Sequence, residues 1–160
     1  LVACVVATIL LVYDAKWSLL PFGINITFIV LGALYAVALY TVGGASFDAL
    51  SLAGALTLLG GLYFAFSLLG WVGMGDGILG VGLALFLGTW HLAFLTLFLA
   101  NLLGCLMILP LYLRKKLHRN MRIPFGPFLI LAAIISLLGG EWLITIFLSS
   151  ASGVLVPLML

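Results

Sequence analysis

Long apolar runs broken by short clusters of glycine and charged residues set the rhythm of this chain. Leu1 to Tyr13 is apolar and gives way to a polar break, Asp14-Ala15-Lys16-Trp17-Ser18, closed by Pro21. The fixed φ of proline suits a helix start and not a helix interior, so a second span is predicted from Phe22 to Val42. Turn residues at Gly43 to Asp48 separate it from a third, Ala49 to Leu69, which ends at the glycine-rich break Gly70 to Gly77. The next apolar stretch, Ile78 to Leu113, would extend ~54 Å as one helix, so two spans are predicted, turning near Gly88-Thr89-Trp90-His91. A basic loop, Arg114 to Arg122, precedes a span that begins near Pro127 and reaches Leu138 or beyond, with Gly139-Gly140-Glu141 as the expected outer break. The tail from Trp142 to Leu160 is apolar, and its pattern fits a further span or an interfacial segment equally.

These runs predict an all-α, polytopic integral membrane protein of about six transmembrane helices, with residues 1–160 as a single membrane-embedded domain. Composition agrees: the chain is 66% hydrophobic and 6% charged over 160 residues, too little polar surface for a water-soluble fold. The first run would rise only ~20 Å as a helix against a hydrocarbon core of ~30 Å, so it is expected to be truncated, with the true N-terminus missing. Cys4 and Cys105 lack the spacing of a zinc site or the density of a disulfide scaffold and read as small core residues.

Charge placement tests the topology. Every Lys and Arg is either Lys16 or one of Arg114, Lys115, Lys116, Arg119 and Arg122. With two spans in Ile78 to Leu113, all of them share one side, and the positive-inside rule makes that side cytoplasmic. Asp14 and the Gly70 to Gly77 loop then fall on it too, while Asp48 and Glu141 fall outside. A single span would put Lys16 and the basic cluster in opposite compartments.

Ionisable groups near a membrane are costly and therefore functional candidates. Asp48 and Glu141 read as solvated loop charges. Asp14 ends one predicted helix and Asp76 precedes another on the same face, so folding can bring their carboxyls together. Two carboxyls sharing a site do not both ionise easily; one holds a proton while the other acts as base on a water, which is aspartic-protease chemistry. Gly73-Met74-Gly75-Asp76 leaves the backbone beside the acid open to close approach. The competing reading of those four residues is a tight loop whose Asp caps a helix starting near Ile78.

Asp14 followed seven residues later by Pro21 resembles the first-aspartate motif of type IV prepilin peptidases, and Gly73-Met74-Gly75-Asp76 resembles their Gly-x-Gly-Asp motif. Arg122-Ile123-Pro124-Phe125-Gly126-Pro127 is similar to the segment that opens the last helix of bacterial members. The resemblance implies an intramembrane aspartic endopeptidase with Asp14 and Asp76 catalytic. Pro21, Gly73, Gly75, Pro124, Gly126 and Pro127 would support them. It further implies no cofactor or metal, a place in the cytoplasmic membrane with the active site at the cytoplasmic face, and prepilin-like membrane proteins with cationic leaders as substrates. Two departures stand out. Phe22 follows Pro21 where the family usually has Asn or Asp, and Gly77-Ile78 follows Asp76 where a hydrophobic residue and Lys are usual. The cytoplasmic region with paired cysteines associated with N-methylation in larger bacterial members does not occur in this sequence, which is not read as a methyltransferase.

Other polar residues read as supporting. His91 falls at an outer turn and His118 in the basic loop, neither with a partner at metal-ligand spacing. Asn25 and Asn101 lie within spans and are expected to hydrogen-bond between helices. The basic cluster reads as a topology determinant touching anionic headgroups, and nothing suggests nucleic acid as a partner. A small ion- or proton-coupled transporter, or a non-catalytic homologue aiding assembly, are the alternatives that the same acids leave open.

Overall fold

The computed structural model describes residues 1–42, 48–70, 72–113 and 124–152, and everything described is helix or short connection. The elements are α1 (Val2–Trp17), α2 (Phe22–Thr41), α3 (Ala49–Ala55), a π-helical turn (Leu56–Gly61), α4 (Leu62–Leu68), α5 (Met74–Leu87), α6 (Trp90–Leu113) and α7 (Gly126–Ser152). Since α3, the π turn and α4 form one continuous rod, the described residues build six rods, as the apolar runs predicted. Four helical stretches are long and apolar enough to cross a bilayer: Phe22–Thr41, Ala49–Leu68, Trp90–Pro110 and Gly126–Ile146. This is a multi-pass membrane protein.

Helix boundaries follow local chemistry. Pro21 precedes α2 in an extended conformation (φ −60°, ψ 122°), as a residue with no N–H to satisfy can. Gly88 ends α5 with φ 69°, splitting the long apolar stretch at the turn expected for it. Asp48 caps α3, its Oδ1 accepting from the N–H groups of Leu50 and Ser51, both at 3.1 Å. The basic loop falls outside the described residues.

The short helix α5 is the centre of the bundle. It packs most extensively on α2, then on the π turn and α4, and also meets α7. Glycines permit that crowding: a Cβ on Gly82 would lie 2.7 Å from the Phe28 ring, and one on Gly80 would collide with the Leu59 carbonyl in the π turn. Small residues let helices approach closely where lipid supplies no hydrophobic drive. The π turn also has a consequence for register. Residues four apart drift by ~40° per turn in an ordinary helix, and the wider turn offsets this, so Ala55, Leu59 and Tyr63 all stay buried on one face.

Two expectations require correction. No break occurs at Gly139-Gly140-Glu141: α7 runs on to Ser152, because Gly140 lies hard against Leu92 of α6 and serves helix packing, while Glu141 is an exposed residue within the helix. Cys4 and Cys105 are exposed on the bundle's outer surface and are not core residues, since small apolar side chains face lipid as comfortably as protein. Asn101 donates from Nδ2 to the Leu97 carbonyl of its own helix at 2.7 Å, and its side chain also meets Tyr63 of α4, so it serves the helix–helix contact expected of it as well as its own helix.

Candidate active site

Asp14 lies in the last turn of α1 and is 4% exposed. A carboxyl there faces the negative end of its own helix, an unfavourable position unless something opposes it. The opposing element is the start of α7. Gly126 N–H, one of the first-turn donors with no partner inside its helix, donates to Asp14 Oδ2 at 2.8 Å. Pro127 follows and has no N–H to offer, while the amides of Phe128 and Leu129 turn back to the Phe125 carbonyl. The available amide of this helix start therefore goes to Asp14. Gly126 must be glycine for the contact: a Cβ would lie 2.6 Å from Asp14 Oδ2 and 3.2 Å from its Cγ.

Asp76 comes from the opposite direction along the chain. Helix α5 begins at Met74, with Gly73 as its N-cap in an extended conformation, so Asp76 is the third helical residue and not the cap of a helix starting near Ile78. Its carboxyl turns back to the Gly73 backbone, as an acid in the third helical position does in a capping box. The other oxygen, Oδ1, is buried without a hydrogen bond. Asp14 and Asp76 are close enough for their carboxyls to interact electrostatically. Each lies at a helix N-terminus, where partial positive charge favours an acid in otherwise apolar surroundings.

The remaining motif residues pack around this pair. Asn25, fully buried on α2, donates from Nδ2 to the Gly75 carbonyl at 3.0 Å, fixing the Gly-Met-Gly-Asp turn from one side. Gly75 abuts Leu20, one residue before Pro21, and a Cβ on it would lie 2.7 Å from that side chain. Gly77 abuts α4 on the other side, its Cβ position 3.2 Å from Phe64 N. Phe125, between Pro124 and Gly126, has its ring 5.4 Å from that of Tyr63. Tyr63 had no signal in the sequence, since one tyrosine in an apolar run reads as core; its relevance comes only from which helices meet around it.

The other ionisable groups lie elsewhere. Asp48 and Trp90 are at the far end of the bundle, where Trp90 N–H donates to Ser51 Oγ at 3.3 Å. His91 is exposed in the first turn of α6, its ring 3.8 Å from that of Trp90. His118 lies outside the described residues. Among the described residues no group of three His, Cys, Asp or Glu could hold a metal ion.

The sequence profile of the type IV leader peptidase family matches residues 1–111, which include both aspartates and the Gly-x-Gly-Asp turn. The chain belongs to that family. Among curated proteins it is 39% identical over 98 residues to a prepilin leader peptidase/N-methyltransferase of Aeromonas hydrophila, an alignment covering 57% of this chain and 33% of the relative. It is 36% identical over 96 residues to the protein of the same name from Aeromonas salmonicida strain A449, covering 58% and 33% respectively. The chain thus spans about a third of the length of the curated relatives it matches. No solved structure matches it.

Proposed function

We propose that this chain is an aspartic endopeptidase of the cytoplasmic membrane that removes the cationic leader from type IV prepilin-like proteins at the cytoplasmic face. The observation that carries it is the meeting of Asp14 and Asp76, 62 positions apart by their numbers, at one end of the bundle, each beneath a helix N-terminus. In the proposed reaction one carboxylate takes a proton from water as its oxygen attacks the scissile carbonyl. The other, protonated, carboxyl gives its proton to the carbonyl oxygen. Collapse of the tetrahedral adduct breaks the C–N bond: the proton held by the first carboxyl passes to the leaving amine, and one hydroxyl of the adduct returns its proton to the second carboxylate as the new carbonyl forms. Both carboxyls are needed, because neither alone holds and releases protons on both sides of the carbonyl.

Family membership and the relatives' names support the substrate class; the second activity in those names, N-methylation, is not part of the proposal. Charge placement supports the cytoplasmic face, because Lys16 shares the dyad's end of the bundle and the start of α7 does too. The test is cleavage of a prepilin-like substrate in membranes by the wild type and by Asp14→Asn, Asp76→Asn and Asp48→Asn. Cleavage by the wild type and Asp48→Asn alone is the expected result. Near-normal cleavage by either dyad variant overturns the mechanism. A wild type that cuts no prepilin, with proton-dependent uptake lost in both variants, replaces it with transport.

A further inference from the structure

The two halves of the site converge on Tyr63. This residue of α4 is 2% exposed, and its ring lies 5.4 Å, centroid to centroid, from that of Phe125, whose successor Gly126 holds Asp14. Its backbone, with that of Phe64, presses on the residue that follows Asp76: a Cβ on Gly77 would lie 3.5 Å from the Tyr63 carbonyl carbon. One residue therefore touches, through its ring, the element that fixes the first acid and backs, through its main chain, the turn that carries the second. The π turn that precedes α4 keeps Tyr63 on the face where this contact is possible.

Its polar end faces α5 and α6. The phenol oxygen is buried and makes no hydrogen bond within ordinary limits of distance and angle. Its polar surroundings are the Asp76 carboxyl and the Asn101 side chain. Asp76 Oδ1 is buried without a hydrogen bond as well. Leaving a buried donor or acceptor unmade is costly, and phenylalanine would fill the same volume without that cost. A buried donor and a buried acceptor, each without a close hydrogen bond and within electrostatic reach of one another, complement each other chemically.

We propose that Tyr63 is a positioning residue of the dyad: its phenol donates a hydrogen bond to the buried oxygen of Asp76 during the reaction and holds that carboxyl at the angle needed for proton exchange. Asn101, whose Nδ2 is tied to the Leu97 carbonyl, steadies the phenol from the side of α6. The role rests on the peptidase reading above and acts through Asp76, not on the substrate.

Tyr63→Phe removes only the O–H. Cleavage of a prepilin-like substrate by the purified full chain in lipid nanodiscs should show kcat reduced roughly 10- to 100-fold, the worth of one hydrogen bond to a charged group. KM should stay at the wild-type level and Tm should hold or rise, because binding and packing are untouched and a buried hydroxyl without a close partner is removed. Replacing Tyr63 by p-aminophenylalanine restores a donor at the same place and should recover most of the lost kcat; a packing role would gain nothing from it. Tyr63→Leu should lower Tm as well, marking what loss of the ring alone does. Wild-type kcat in Tyr63→Phe, or a loss that p-aminophenylalanine leaves unrepaired, overturns the proposal while the peptidase reading stands. A wild type that cuts no prepilin-like substrate overturns both.

Discussion

Gly126→Ala is the sharpest test of how Asp14 is held. The added Cβ would sit 2.6 Å from Asp14 Oδ2, 3.2 Å from Cγ and 3.4 Å from Cβ. Ordinary van der Waals contact requires the nearest of these to retreat by about 1 Å. The cheapest movement is a swing of the Asp14 carboxyl, because it is the end of a side chain while Gly126 is fixed by the helix behind it. That swing lengthens the 2.8 Å bond from Gly126 N–H beyond useful range. A hydrogen bond to a charged group contributes about 1.5–3 kcal/mol, so the rate should fall roughly 10- to 100-fold if the bond is made in the transition state. The fold should survive, since the displaced group is a single carboxyl. Cleavage kinetics and thermal unfolding in the same detergent separate the two effects, with Gly139→Ala as the matched control: nothing lies within 4 Å of a Cβ there. The control should keep its activity and hold or gain stability, as alanine favours a helix over glycine by about 1 kcal/mol. A Gly126→Ala enzyme with wild-type kcat would refute the link between this amide and the acid. Gly126→Leu has no such escape and should lose folding and activity together.

Asp14→Asn and Asp76→Asn should each abolish cleavage with Tm held or slightly raised, since each relieves two neighbouring acids; a clear fall in Tm would make the carboxyls structural. Asp48→Asn should match the wild type in both assays because Asn caps a helix as well as Asp, whereas Asp48→Ala should cost about 1 kcal/mol in unfolding measurements. Asn25→Leu removes the bond to the Gly75 carbonyl and should reduce stability by about 1 kcal/mol and kcat more than KM, an outcome that an unchanged kcat would contradict. Cysteines placed at Leu19 and Trp90, in a chain lacking Cys4 and Cys105, should be labelled from opposite sides of the membrane; labelling from one side would break the topology.

The rods were legible because lipid imposes one rule on the whole chain: every backbone group is satisfied inside a helix, and helices of bilayer length leave apolar runs of matching length. Pro21 and Gly88 marked boundaries because their backbone chemistry acts locally. Gly139-Gly140 misled for the complementary reason. Two glycines next to an acid look like a turn in water, but Gly140 serves a contact with α6 that no local pattern reveals. The approach of Asp14 and Asp76 to one another was legible from two acids placed at the same end of the predicted helices. What held them was not: the Gly126 amide and the Asn25 amide act across 112 and 50 positions of sequence.

The departure at Asp76-Gly77 follows from the same crowding. A side chain at position 77 points at the backbone of α4, where even a Cβ would stand 3.2 Å from Phe64 N and 3.3 Å from Phe64 Cα. A larger hydrophobic residue there needs the two helices further apart, and separation would carry Tyr63 away from Asp76. Glycine at 77 and the buried tyrosine at 63 are therefore one arrangement: the first lets α5 lie against α4, and the second is buried where the two helices meet. Gly77→Ala in the otherwise native chain should then lower stability by about 1–3 kcal/mol through overpacking and reduce cleavage in proportion to the loss of the Tyr63 contact. Added to Tyr63→Phe, it should reduce kcat by less than it does alone, because both changes remove the same support from Asp76. Full multiplication of the two losses would show that Gly77 and Tyr63 act independently and would leave the glycine with a packing role only.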